Sequence, residues 1–121
     1  MPEKSTVMLI LQRNREILLE KRPAPGIWGG LWSFPEIARL DDAAGWLRTQ
    51  FGAEVENEGH LPDIQHGFTH YALTITPALL RVTNLEHRAQ APGYLWITPA
   101  DAINAAVPAP VRLILRQLEG A

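Results

Sequence analysis

The stretch TVMLILQRNREILLEKRPAPG, residues 6–26, constrains the fold more than any other part of the chain. Two β-type apolar runs flank the polar turn Arg13-Asn14-Arg15, which is the pattern of a hairpin. Two prolines and a glycine then end the second strand, because proline has no ladder donor and a fixed φ. A glycine- and tryptophan-rich loop follows, with a short strand expected near Trp32–Phe34. Asp41 or Asp42 is placed to cap a helix running to about Phe51, with Gly52 as its stop. On that helix Ala43, Trp46, Leu47, Gln50 and Phe51 share one largely apolar face.

Beyond the helix, Glu54–Leu61 reads as a polar strand. FTHYALTITPALLRV alternates, with Phe68, His70, Ala72 and Thr74 on one face and Tyr71, Leu73 and Ile75 on the other. Pro77 marks that strand as an edge or a bulge. GYLWIT is a further strand, and TPADAINAA starts a short helix with Thr98 as cap and Pro99 in its first turn. The last helix starts near Pro110 and lines up Val111, Ile114, Leu115 and Leu118. Strands with one internal and two terminal helices make an α+β fold, a mixed β-sheet packed with helices. At 121 residues the chain has room for a single domain with one core.

Composition narrows the function classes. With 46% hydrophobic and 20% charged residues, the chain reads as a globular protein with no membrane partner, its longest apolar runs being far too short to span a bilayer. The N-terminus lacks the pattern of a secretory signal, and a cytoplasmic location fits. The absence of cysteine excludes disulfides, thiolate metal sites and a cysteine-held iron–sulfur cluster in this chain. Lys and Arg total 11 against 13 acids, for a net charge of −2. A stand-alone nucleic-acid binder would carry a basic surplus. Cations gather at Arg13, Arg15, Lys21 and Arg22 and acids at Glu54, Glu56, Glu58 and Asp63, both readable as solvated faces.

Gly30, Glu36 six positions on, and a helix closed by Gly52 resemble the Nudix box of MutT-type hydrolases. That family's helix carries an Arg-Glu pair and then a Glu-Glu pair just before the closing glycine, holding the divalent cations that polarise a nucleoside diphosphate linkage. Here the acidic pair falls on Thr49 and Gln50, or on Arg48 and Thr49, depending on the end counted from. No carboxylate lies between Asp42 and Glu54. The scaffold is Nudix-like and its metal ligands are missing. Without partners Glu36 cannot build a cation site, which leaves it a structural hydrogen bond.

Three longer motifs, in order, resemble the C-terminal Nudix-like domain of the adenine DNA glycosylase (MutY) family. They are LLEKRPAPGIWGGLWSFPE, LPDIQHGFTHYALTITP and WITPADAINAAVPAPVRLILRQL. The resemblance implies that the chain is part of a longer protein, with Met1 at a domain start. The preceding N-terminal domain would be helical, with a helix–hairpin–helix, a catalytic Asp and Glu, and a cysteine-ligated iron–sulfur cluster. It also implies a bacterial-type, nucleoid-associated monomer that engages double-stranded DNA containing 8-oxoguanine:adenine mispairs together with that domain. Adenine is flipped into the first domain for excision, and the domain resembled by this chain reads the opposing 8-oxoguanine. Catalytic residues and metal ligands are then expected to be none, and the chain alone is not an enzyme. An active Nudix hydrolase of oxidised nucleotides and a protein-interaction module of a repair enzyme are the competing functions.

The resemblance places lesion and DNA contacts at Gly67, Phe68, Thr69 and His70. Guanine offers a bare N7 acceptor in the major groove. In 8-oxoguanine N7 carries a hydrogen and C8 an oxygen. A hydroxyl can accept from N7–H, and a neighbouring backbone N–H can meet the new oxygen. Thr69 keeps the hydroxyl of the family's usual serine, adds a methyl and stiffens χ1. Taken alone, Thr69 reads as a β-branched strand residue. Gly67 would let backbone approach a base. Phe68 admits a wedge beside a base or a place in the core. His70 admits a groove or phosphate contact, a support for the loop, or a plain structural role. His66 and His70, on one strand face, would lie about 13 Å apart, too far for a shared zinc. Trp28 and Trp32 read as packing for the glycine loop in preference to base stacking, and Trp46 and Trp96 as core.

Overall fold

The structure is a computed structural model describing residues 2–86 and 92–120. Strands β1 (Glu3–Arg13) and β2 (Glu16–Lys21) form the expected hairpin. Asn14 and Arg15 take φ of 52° and 68°, so both turn residues are left-handed. That is the two-residue turn whose twist matches the flanking strands. β2 also pairs with β3 (Trp32–Ser33) and β8 (Tyr94–Ile97). β1 pairs with β4 (Glu36–Ile37) and, in parallel, with β7 (Ala72–Leu85). The far side of β7 carries β5 (Ala53–His60) and β6 (Ile64–Gly67), both antiparallel.

Helix α1 (Ala43–Phe51) covers one face of this mixed sheet, and α2 (Pro99–Ala102) with α3 (Ala109–Glu119) covers the other. Met8, Leu9, Ile10 and Leu11 are all fully buried, because alternate side chains of a strand point to opposite faces. Met8 and Ile10 join Ile17, Leu19, Ile75, Val111, Ile114 and Leu115. Leu9 and Leu11 join Leu18, Ala43, Leu47, Phe51 and Leu80. Each of these side chains larger than alanine contributes about 1.5–3 kcal/mol on burial, and both helical layers are held by the same central strands.

Local punctuation is where the sequence led it to be expected. Gly52 closes α1 at φ 62°, and the Thr98 hydroxyl accepts from Asp101 N at 3.2 Å to cap α2. Val111, Ile114 and Leu115 are buried on α3. Trp46 and Trp96 pack, partly buried, on the α1-side core. One expectation is corrected and another is met only in part. Asp42 stands at the N-cap of α1 but its carboxylate makes no capping bond, because Leu40–Asp42 form a 3-10 turn that leaves Asp42 with helical backbone angles. Pro77, expected at an edge or a bulge, is not at an edge, since it is buried in β7 opposite Met8 of β1, but it adjoins the register irregularity between Asn57 and His60 of β5. Its carbonyl accepts from Leu61 N at 2.9 Å, so the side lacking an N–H faces the irregular register where β5 gives way to β6.

Candidate functional site

The segment carrying Gly67, Phe68, Thr69 and His70 differs from the single alternating strand expected there. β6 ends at Gly67, β7 begins at Ala72, and these two residues pair across the sheet. Residues 68–71 are the turn between them, with Phe68 N donating to Tyr71 O at 2.8 Å. Phe68 and His70 are therefore not on a strand face: His66 lies in β6 and His70 in the turn that follows it. Thr69 and His70 are exposed at its tip, and Phe68 is half-buried. Gly67 has ordinary strand geometry, and a Cβ there would meet nothing within 4 Å. The free fold does not demand glycine at this position; it leaves open space beside the turn.

Four rings anchor the turn. Phe68 lies 4.7 Å, centroid to centroid, from both His66 and Tyr71, and 5.4 Å from Trp28. Trp28 meets His66 edge-on at 5.7 Å. Each such pair adds about 0.5–1.5 kcal/mol beyond its buried area. Phe68 is thus an anchor against the α3-side core, while the residues after it face solvent. Lys4 Nζ sits 4.4 Å from the Tyr71 ring centroid, so a cation accompanies the turn, held over the ring's electron-rich face.

Trp28 belongs to the glycine loop, which Arg22 organises. Arg22 N donates to Leu31 O at 2.8 Å and Gly30 N to Arg22 O at 2.9 Å, closing the loop at its base. Inside, Gly29 N donates to Gly26 O and Leu31 N to Trp28 O, both at 3.0 Å. Gly29 is favoured by close approach, since a Cβ there would lie a tight 3.2 Å from Ala24 Cα and Pro23 O. Gly30 at φ 80° sits in left-handed space. Trp28 adopts φ 58° without being glycine, a conformation that costs of order 1–3 kcal/mol and requires support from its surroundings. The Arg22 guanidinium donates to Ile27 O at 3.4 Å and to Glu36 Oε2 at 2.9 Å. Only 24% and 20% of the Arg22 and Glu36 side chains remain exposed, so the ion pair is partly withdrawn from screening.

Glu36 is therefore occupied by an arginine. On α1 the outward residues Arg48, Thr49 and Gln50 are exposed, and Arg48 Nε pairs with Glu54 Oε1 at 3.4 Å. A divalent cation asks for several convergent oxygen ligands; a guanidinium, a hydroxyl and an amide on the outer face of α1 do not supply them, and Glu36 is engaged by Arg22. Among the described residues no group of three or more His, Cys, Asp or Glu side chains is arranged to hold a metal. Burial pushes the neighbouring Glu20 carboxyl up, against the pull of Arg22 and with the repulsion of Glu36. Burial, and then the Glu20 charge, raise the Tyr94 phenol.

A cavity of about 570 Å³ lies elsewhere, with Ile17, Leu61, Leu79 and Leu118 among its lining. It includes none of Gly67, Phe68, Thr69, His70 or Glu36. Sequence reasoning missed three participants in the turn's surroundings, Arg22, Tyr71 and Lys4. A charge on either side of the glycine loop, Arg22 and Glu36, was the available signal for the first; for the other two no local signal exists.

The pattern of the NUDIX domain family matches residues 6–117. The chain is 25% identical over 118 residues to adenine DNA glycosylase of Buchnera aphidicola subsp. Baizongia pistaciae, covering 98% of this chain and 33% of that enzyme. It is 27% identical over 114 residues to the mouse adenine DNA glycosylase, covering 85% of this chain and 22% of that one. The chain thus spans a third or less of the length of these relatives. In three dimensions it is similar to the C-terminal domain of mouse MUTYH, in its crystal structure with human PCNA, at a TM-score of 0.72 and 21% identity, covering 96% of this chain and 87% of that one. A MutT NUDIX hydrolase from Burkholderia pseudomallei matches at a TM-score of 0.72 and 16% identity, over 97% and 98% of the two chains. Among the described residues no helix is long and apolar enough to cross a membrane.

Proposed function

The chain belongs to the NUDIX domain family, and from that premise we propose that it serves as the 8-oxoguanine-recognition domain of an adenine DNA glycosylase, without hydrolytic chemistry of its own. The observation that carries this reading is the turn itself, with Thr69 exposed beside a Phe68 packed on three rings. The relatives that share its sequence are adenine DNA glycosylases, which supports the same reading. The Thr69 hydroxyl accepts from the N7–H of 8-oxoguanine, a donor that guanine lacks, and a backbone N–H of the turn meets the C8 oxygen. His70 lies beside it for a groove or phosphate contact, and the open space at Gly67 admits the base edge. The partner is double-stranded DNA with an 8-oxoguanine:adenine mispair, held jointly with a glycosylase domain that flips and excises the adenine. The catalytic acids and the iron–sulfur cluster belong to that other domain, since this chain has no cysteine with which to hold one.

The test is single-turnover adenine excision by the intact glycosylase on 8-oxoguanine:adenine and guanine:adenine duplexes. Thr69→Ala slows the lesion pair selectively, and Thr69→Ser restores it. Equal losses on both pairs would mark a phosphate contact instead, because backbone contacts carry no base information. The competing hydrolase reading predicts magnesium-dependent pyrophosphate release from 8-oxo-dGTP that disappears in Glu36→Gln. The expected result is no release above a no-enzyme control.

A further inference from the structure

Resting on that reading of the turn, we propose that Arg22, Glu36 and Trp28 are positioning residues: the Arg22–Glu36 ion pair fixes the glycine loop so that Trp28 sets the orientation of Phe68 and, through it, of Thr69 and His70. The links are continuous. Glu36 Oε2 accepts from Arg22 Nη1 at 2.9 Å, and Arg22 Nε donates to Ile27 O at 3.4 Å. Ile27 is the residue before Trp28, whose ring lies 5.4 Å from Phe68 and 5.7 Å from His66. Phe68 is the residue before Thr69.

Three features make this more than casual packing. Trp28 is held at φ 58°, and a bulky residue keeps such a backbone only where the surroundings impose it. The far end of the loop, Gly30 and Leu31, is tied back to Arg22 by two backbone bonds, so the Arg22 main chain closes the loop that carries the tryptophan. The Glu36 carboxylate, with 20% of its side chain exposed, faces the Arg22 guanidinium in a partly buried ion pair at the foot of the loop. A planar guanidinium with several fixed donors can hold a carboxylate and a carbonyl together, which an ammonium on a flexible stem does less well.

The test has two readouts. The first is the backbone amide resonances of residues 67–71 in this chain, followed with its thermal melt. The second is the ratio of single-turnover rates on 8-oxoguanine:adenine and guanine:adenine duplexes in the intact glycosylase. Trp28→Ala is expected to shift the amides of Phe68, Thr69 and His70 and to lower the rate ratio roughly fivefold to tenfold, the lower range for one base-edge contact. Trp28→Phe, which keeps a ring, recovers most of the ratio. Glu36→Gln and Arg22→Lys move both readouts in the same direction by less. Should Trp28→Ala fail to fold, Trp28→Leu keeps the bulk, removes the ring and carries the same test. Unmoved amides in a cooperatively folded Trp28 variant would overturn the proposal, as would an unchanged rate ratio where Thr69→Ala lowers it. If Thr69→Ala itself leaves the ratio unchanged, lesion reading falls, and the amide shifts alone still decide whether Trp28 orients the turn.

Discussion

α1 and the β6–β7 turn both present polar side chains to solvent, yet they are fastened to the fold in different ways. α1 is held from beneath, by Ala43, Leu47 and Phe51 buried in the sheet's core and by Gly52 at its end. Its outer residues, Arg48, Thr49 and Gln50, take no part in that burial. The helix therefore stands without the acids that a metal site would need. The turn is held from the side, by Trp28, His66 and Tyr71 around Phe68. Its tip keeps its geometry only while a loop distant in sequence stays in place. A helix anchored by its own buried face can lose chemistry and keep its shape, whereas a turn braced by a neighbour couples shape to function.

Truncating the α1 anchor gives the largest effect. Leu47 is fully buried, and Leu47→Ala should destabilise by about 2–5 kcal/mol in denaturant unfolding, with the rate ratio between the two duplexes unchanged in the folded fraction. A selective loss of lesion discrimination would show that the two regions are not separable. Next is Thr69→Ala, expected to remove about 1–3 kcal/mol of lesion-pair discrimination and to leave unfolding within about 0.5 kcal/mol, since the residue is exposed. Gly52→Ala places a Cβ at φ 62° and should cost about 1–2 kcal/mol of stability, read by the same melts and again silent in recognition.

The smallest effect is expected at Glu20, beside the ion pair that fixes the glycine loop. Burial raises its carboxyl above the ordinary 4.5, with Arg22 opposing and Glu36 adding to the rise. The native state then binds this proton more tightly than the unfolded chain. Its contribution to stability is present below the unfolded value and is lost as pH rises through the folded one. Glu20→Gln removes that loss, so the variant should melt slightly higher at neutral pH and show a flatter profile above pH 4.5. A lower melting temperature at neutral pH would mean that Arg22 relies on the Glu20 charge.

Much of this arrangement was legible because its signals are local. Asn14-Arg15, Gly52 and Thr98-Pro99 each act within a few residues, and the structure places a turn, a helix stop and a cap at them. The Nudix-like scaffold was visible in the spacing of Gly30, Glu36 and Gly52. The turn at 68–71 was hidden because Phe68, His70, Ala72 and Thr74 continue a period of two across it, with no proline, asparagine or aspartate inside to break the pattern. At Pro77 the edge alternative failed and the bulge alternative held, since a missing N–H is harmless in a central strand when its neighbour on that side is interrupted. The brace of Phe68 by Trp28 depends on tertiary packing between distant loops, which no window of sequence contains.

β1 and β7 lie side by side in parallel through ten successive residue pairs, from Glu3↔Ala72 to Gln12↔Arg81. During synthesis β1 is made before β7 and cannot pair along its full length until residue 81 has left the ribosome. Closing so long a loop carries an entropic cost that precedes any reward from the contacts. The β1–β2 and β6–β7 hairpins are short-range and can form ahead of it. Trp28 and Phe68, contributed by opposite sides of that late junction, meet only when the halves join. Folding of this domain should therefore be slow for its size, and the last contacts to mature should include those that orient the exposed turn.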